Sequence, residues 1–285
     1  MTPVQLKRLR QRLSLRRPRR ETLPRMREPS DLAYRSALLS IARRAQLTIE
    51  SMLEPWLRQR MDSPADELKD LFARIRVKVE QQVGARADIE ARRFVREGEQ
   101  QNRSAMNAQY KTLLKIEPFS SVKGLEQVMR SRVRENVELI QSIPIELLDQ
   151  VEAVVQPAVA EGLRVEDLMP RVRERFGVSD SRAQLIARDQ VGKFNGELAE
   201  TRARTLGVES YVWSTSKDVR VRSDHAHLEG TVQRYDAPPV VDEKTQRRCN
   251  PGEDYQCRCQ ALPQVSALLD ALDVPDDFDV VEDDS

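Results

Sequence analysis

The 285-residue sequence is poor in residues that mark several familiar classes of protein. Aromatic residues make up only 5% of the chain, so its core must come mainly from Leu, Val, Ile and Ala. No glycine-rich nucleotide-binding loop occurs, and neither the HExxH nor the GxSxG motif is present. No apolar run approaches the roughly 20 residues that a membrane-spanning helix needs. The sequence therefore predicts a protein that does not cross a membrane, and it contains no common catalytic motif.

Cysteine and histidine are also scarce, and all of them lie in one short stretch. The three cysteines and two histidines are His225, His227, Cys249, Cys257 and Cys259. An odd number of cysteines, with no apolar secretory segment near Met1, favours a reducing compartment over a disulfide scaffold.

Charged residues make up 33% of the chain but are unevenly distributed. Residues 1–28 carry ten Lys or Arg and two Glu, whereas residues 270–285 carry eight Asp or Glu and no basic residue. We interpret residues 1–28 as a disordered basic arm that contacts DNA or an acidic partner, although a solvated terminus without a partner remains the alternative. The candidate contact residues are Arg16, Arg17, Arg19 and Arg20.

Apolar residues at three- and four-residue intervals predict helices over the first two thirds of the chain. The longest is expected from Pro64 to Leu114, with a break near Gly84, because an unbroken helix of this length would reach roughly 75 Å. Gly192 and Gly196, on one side of a later helix, suggest that another backbone approaches there, although simple tolerance of glycine remains possible. Further helices are expected at Val122–Gln141, Ile145–Glu161, Glu166–Phe176 and Ser179–Gly207, with Ser179 as a cap and Pro144, Gly162 and Gly177 between them.

The pattern changes after Gly207, where short strands are expected at Tyr211–Trp213 and Val219–Arg222. The expected fold class is α+β, with mainly long α-helices in the N-terminal two thirds. A small C-terminal α+β module of short strands and a Cys/His-rich turn follows them.

The clustered cysteines and one histidine would suit a tetrahedral Zn²⁺ site, for which thiolate and imidazole are preferred ligands. The spacing Cys249-x7-Cys257-x-Cys259 is not that of a zinc ribbon, so the clustering itself carries the prediction. Two alternatives remain: small buried thiols that only fill the core, and a thiol nucleophile. A closed site with four protein ligands leaves no position for water or substrate, which favours a structural role.

Four motifs occur in order: an IARDQ helix start, G-x-x-x-Y-x-W, R-V-R-x-x-H-x-x-L-x-G and P-G-x-D-x-x-C-R-C. They make Ser179–Pro263 resemble the head-morphogenesis domain of phage Mu F-like minor head proteins, and weaker resemblance extends upstream to Val122. The motif positions are Asn195, Gly207, Tyr211, Trp213, Arg220, Arg222, His225, Leu228, Gly230, Pro251, Gly252, Asp254, Cys257, Arg258 and Cys259. Because His225 matches the family position and His227 does not, the expected metal ligands are His225, Cys249, Cys257 and Cys259.

The resemblance implies a non-enzymatic minor head protein of a tailed bacteriophage, which acts in head morphogenesis near the portal. It also implies several copies per virion, contact with the portal protein or the major capsid protein, and a role in DNA packaging or ejection. The host cytoplasm would be its location during assembly. The alternatives are a metal-dependent hydrolase or nuclease acting on DNA and a zinc-stabilised nucleic-acid-binding module. The expected divisions are a basic arm (1–28), a long-helix region (29–120), the helical part of the head-morphogenesis region (121–178), its α+β module (179–263) and an acidic tail (264–285).

Overall fold

The computed structural model describes residues 31–60, 65–114, 117–120, 122 and 124–265, and these are mainly helical. The four long helices are α1 (Leu32–Arg60), α2 (Ala65–Leu114), α3 (Leu125–Ala160) and α4 (Val165–Thr205). The shorter elements that follow are β1 (Ser210–Ser214), α5 (Ser223–Ala226), β2 (Val232–Arg234), β3 (Val240–Asp242), β4 (Arg247–Arg248) and β5 (Gln260–Pro263). The predicted α+β class, with long helices followed by a small strand module, is confirmed. The basic arm lies outside the described residues, as does most of the acidic tail.

The chain divides into two compact units. Among the described residues, the helical unit comprises 31–60, 65–98 and 127–194. The mixed unit comprises 99–114, 117–120, 122, 124–126 and 195–265, and it contains all the described strands.

Apolar side chains at helical spacing form the core of the helical unit. On α1 the buried positions include Leu38, Ile41, Ala45, Ile49 and Leu53, the spacing that predicted this helix. Phe94 of α2 stacks on Tyr34 with ring centroids 4.2 Å apart, and the Tyr34 hydroxyl donates a 2.7 Å hydrogen bond to Asn136 Oδ1. The side-chain amide of Asn136 in turn donates to Gln190 Oε1 at 3.2 Å. The buried polar side chains of Tyr34, Asn136 and Gln190 are thus hydrogen-bonded to one another.

The predicted break at Gly84 is wrong, because α2 continues through this residue without interruption. Glycine inside a helix costs about 1 kcal/mol relative to alanine. Val79 and Val83, five residues and one residue before Gly84, are only 1% and 3% exposed. Burial of such side chains contributes about 1.5–3 kcal/mol each. Packing therefore outweighs the local preference.

Two other predicted helix boundaries are also wrong. Helix α3 continues through Pro144, and α4 continues through Gly177, so that Ser179 lies inside α4 rather than at its start. A proline in a helix costs about 3 kcal/mol, but buried apolar residues surround this one on both sides. These residues are Ile140, Ile143, Leu147, Leu148 and Val151. Gly162, at a φ of 68°, does follow the end of α3 as predicted.

The strands of the mixed unit form two small antiparallel sheets. One has the order β2-β1-β5, with Val212 paired to both Val232 and Leu262, and the other pairs β3 with β4. Trp213 and Tyr211 of β1 are fully buried in a core with Tyr110, Phe119 and Tyr235. The predicted strand at Tyr211–Trp213 is therefore confirmed.

The strand predicted at Val219–Arg222 is wrong, because this segment is a turn that leads into α5. The Asp218 carboxylate accepts a 3.0 Å hydrogen bond from the backbone N–H of Arg220. Such a local side-chain bond stabilises a turn and competes with strand pairing. Arg220 and Arg222 do not alternate on a strand.

The expected close backbone approach is confirmed at Gly196. A Cβ atom built there would lie 3.0 Å from the carbonyl oxygen of Pro251, whereas one built at Gly84 would meet no atom within 4 Å. We expect Gly196→Ala to destabilise the mixed unit by about 1–3 kcal/mol through overpacking. The matched change Gly84→Ala should instead stabilise its helix by about 0.5–1 kcal/mol. Urea unfolding of both variants measures the two effects, and equal changes of the same sign would contradict this account.

Candidate metal centre

Three side chains of the mixed unit bring potential metal-ligand atoms together. The Nδ1 atom of His225 lies 3.6 Å from the Sγ atoms of both Cys257 and Cys259. The ligand atoms of the three residues all lie within 4.8 Å of one another. His225, Cys257 and Cys259 are only 2%, 8% and 6% exposed. We call these three residues the metal-site triad.

Short elements on either side of the first sheet position the triad. His225 lies on the single-turn helix α5, and the indole of Trp213 from β1 packs edge-on against its ring at 5.6 Å. Cys259 immediately precedes β5, whose first residue, Gln260, pairs with Ser214 of β1. The backbone N–H of Cys259 donates to the sulfur of Cys257 at 3.4 Å. The pairing of β1 with β5 therefore brings the two cysteines to the histidine.

Asp254 fixes the orientation of the His225 ring. Its Oδ2 atom lies 3.2 Å from His225 Nε2, on the side of the ring away from the thiols. A carboxylate accepts but does not donate, so this contact places a ring proton on Nε2. In the neutral ring, the form that binds a metal, the lone pair of Nδ1 then faces the sulfurs. The same carboxylate accepts hydrogen bonds from Arg222 at 2.9 Å and Arg247 at 3.0 Å. A histidine oriented by a carboxylate in this way is the usual outer-shell arrangement of protein metal sites.

The thiol pKa values of Cys257 and Cys249 are shifted in opposite directions. The hydrogen bond with the Cys259 thiol, opposed by burial and assisted by His225, holds the pKa of the Cys257 thiol below its ordinary value. Burial lowers the pKa of His225, but the hydrogen bond to Cys257 and the negative charges of Cys257 and Asp254 together outweigh burial, and the pKa of His225 is raised. For Cys249, burial raises the thiol pKa to about 12. Since the thiolate is the form that binds metal, these pKa shifts favour Cys257 over Cys249 as a ligand in the metal-free protein.

Cys249 lies outside the triad. Its side chain is partly buried and packs against the hydrophobic core of the mixed unit. The predicted role of Cys249 as a fourth ligand therefore stays a prediction. His227 is exposed and is also outside the triad, in line with the preference for His225.

Several motif residues have structural positions around the triad. Gly207 and Gly230 adopt positive φ angles of 81° and 75°, which favour glycine, at the end of α4 and in the turn before β2. The Asn195 side chain accepts a 2.7 Å hydrogen bond from Asn102. Arg222 also donates to the backbone carbonyl of Tyr255, whereas Arg220 is exposed. Gly207 and Gly230 thus shape turns, Asn195 joins α4 to α2, and Arg222 holds the loop that contains Tyr255.

The part played by Asp254 was missed in the sequence, although the residue is one of the matching motif positions. It lies 29 positions after His225, and no local pattern joins the two residues. The signal that was available is its place in the P-G-x-D-x-x-C-R-C motif, where a single acidic residue precedes both thiols.

Comparison with known proteins assigns the region that contains this site. Residues 149–262 match the model of the family described as Phage Mu protein F like protein. Residues 149–262 are Mu F-like. The resemblance found in the sequence is thereby confirmed, and the Mu F-like segment includes all three residues of the triad.

Among curated proteins, an uncharacterized protein of Haemophilus influenzae (strain Rd) is 30% identical over 182 residues. The matched region covers 63% of this chain but only 39% of the length of that protein. No solved structure matches the chain. Among the helices in the described part of the chain, none combines the length and hydrophobicity that crossing a lipid bilayer requires.

Proposed function

We propose that this protein acts in head morphogenesis of a tailed bacteriophage, as a minor head protein. The observation that carries the proposal is the Mu F-like match over residues 149–262, which contains the ordered motifs and the buried triad. The motif side chains described above support loops and turns, as expected of a structural component. A non-enzymatic role is part of this proposal.

The proposal extends to location and partners. We place the protein near the portal, in several copies per particle, in contact with the portal protein or the major capsid protein. The basic arm, with ten Lys or Arg in residues 1–28, would contact phage DNA or an acidic protein surface during packaging or ejection. These partners follow from the family and from the charge distribution.

For the triad we propose Zn²⁺ bound by His225, Cys257 and Cys259. Two thiols and one imidazole are a zinc donor set, and the carboxylate of Asp254 holds the imidazole in the tautomer that a metal requires. When bound, the ion would link α5 to the loop before β5. All three ligands are buried, which limits the access of a DNA substrate and favours a structural role over metal-dependent hydrolysis of DNA. A fourth protein ligand, for which Cys249 is the prediction, would close the site.

We expect a fixed, low copy number of this chain in DNA-filled particles. Quantitative mass spectrometry of purified particles, scored against the major capsid protein, measures it directly. A matched stock carrying an amber codon at Trp56 tests whether heads form without the protein. Normal, infectious heads from that stock, together with the absence of the protein from wild-type particles, would overturn the proposal.

A further inference from the structure

A groove of about 1000 Å³ in the helical unit has an unusual combination of charge and apolar surface. It runs along α1 and is completed by residues of α2. Its lining includes the cations Arg35, Arg43, Arg44 and Lys78, together with Leu39 and Leu47, and no Asp or Glu. The side chain of Leu47 is 67% exposed. We call this surface the basic groove.

The four cations of the basic groove have no carboxylate partner in the described part of the chain. Other arginines on the same two helices do have such partners. Arg58 lies 3.0 Å from Glu166, and Arg76 lies 2.5 Å from Asp149. The groove therefore concentrates positive charge that the described residues leave uncompensated, on a wall where Leu47 is exposed to water.

A ligand that matches this surface must carry acidic groups and apolar groups that alternate at short intervals along its length. Nucleic acid matches the charge but gains little from exposed leucines, since its phosphates are its outer surface. An acidic polypeptide with interspersed Leu, Val or Phe matches both features. Charged pairs at the rim and apolar contacts along the wall would then form together.

The chain itself contains such a segment at residues 268–284, which lies outside the described residues. This segment has eight acidic residues and no basic one. Between them stand Leu268, Leu269, Leu272, Val274, Phe278, Val280 and Val281. We propose that the basic groove binds residues 268–284 of this chain, from the same molecule or from a neighbouring copy.

The dimensions agree with this occupant. From Arg35 to Ser51 the groove follows 17 residues of α1, which rise by roughly 24 Å at 1.5 Å per residue. An extended chain covers that distance with about eight residues. Residues 268–284 are therefore long enough to contact all the groove cations of α1.

The test uses the full chain with a photoreactive phenylalanine derivative in place of Ser40, an exposed residue of the groove lining. We expect cross-links from position 40 to residues 268–284, mapped by mass spectrometry. The same derivative at Ala73, exposed on α2 and outside the groove lining, should not cross-link to that segment. Mixing isotope-labelled and unlabelled protein distinguishes the same molecule from a neighbouring copy.

The second part of the experiment reverses charges in the basic groove and in residues 268–284. Arg43→Glu with Arg44→Glu should reduce cross-linking at least tenfold, and adding Asp276→Lys with Asp277→Lys should restore it. Arg74→Glu, an exposed arginine outside the groove lining, is the control and should change nothing. Cross-linking that is unchanged in the double reversal would overturn the proposal. So would capture of an added DNA duplex at position 40 in place of residues 268–284.

Discussion

Removing the metal is expected to lower the melting temperature of the mixed unit by roughly 10–20 °C. Structural zinc contributes an apparent binding free energy of about 10–16 kcal/mol in small zinc-binding peptides. A loss of only about 2.5 kcal/mol would produce this shift in a unit of this size. The mixed unit has only short strands around the triad, so its dependence on a cross-link should be large. Protein purified without chelator should contain about one zinc per chain by elemental analysis, and chelation should release it.

Single substitutions separate the ligands from their neighbours. Cys257→Ser and His225→Ala should both lose zinc and show the low melting temperature without any chelator. His227→Ala, an exposed histidine outside the triad, should keep both the zinc and the melting temperature. Cys249→Ser tests the predicted fourth ligand, because loss of zinc from this variant would add Cys249 to the site. If metal-free wild-type protein has an unchanged melting temperature, the cysteines contribute to stability only by packing in the core, and the metal-site proposal is wrong.

Glu99→Ala is expected to destabilise the mixed unit by about 3–5 kcal/mol. The guanidinium of Arg202 is completely buried, and its closest charge is the Glu99 carboxylate at 2.7 Å. Burial, opposed by Glu99, lowers the pKa of Arg202 to about 10, so the side chain stays charged at neutral pH. The side-chain oxygen of Asn102 accepts a further hydrogen bond from the same guanidinium. The side-chain amide of Asn102 in turn donates a hydrogen bond to Asn195. Removing the carboxylate leaves a buried charge without its counter-charge.

Two comparisons make this prediction specific. The double variant Glu99→Ala/Arg202→Met should recover at least 1 kcal/mol relative to Glu99→Ala alone, because it removes the uncompensated charge as well. Arg204, two residues after Arg202 on α4, pairs with Glu200, and the two side chains are 54% and 19% exposed. Because this pair is in partial contact with water, Arg204→Ala should cost less than about 1 kcal/mol. Denaturant unfolding measures all three free energies. Equal losses of unfolding free energy in Glu99→Ala and Arg204→Ala would contradict the expected effect of burying the Glu99–Arg202 pair.

The sequence predicted those parts of the fold that depend on local periodicity. The buried stripe of α1 and the strand at Tyr211–Trp213 are examples, because a single run of residues carries the whole signal. It did not predict that α3 continues through Pro144, since the cost of a proline is local and the packing that outweighs it is tertiary. The turn at Val219–Arg222 was missed for a similar reason: its alternating residues resemble a strand, but Asp218 hydrogen-bonds to the backbone.

The metal site was predictable in part. Clustering and the motif identified His225, Cys257 and Cys259, and the fold brings these three together. The sequence did not show that Cys249 lies outside the triad. Nor did it indicate that Asp254 orients the histidine, because that pairing joins residues 29 positions apart in the chain.

A metal bound by the triad would act on the chain in the way that a disulfide does in secreted proteins. His225 and Cys257 are 32 positions apart, so an ion that joins them closes a loop containing β2, β3 and β4. The entropy that such a closure removes from the unfolded chain corresponds to roughly 4 kcal/mol for a loop of this length. Unlike a disulfide, this cross-link persists under reducing conditions. Three strands of two or three residues each could then be held in place before any partner subunit is bound.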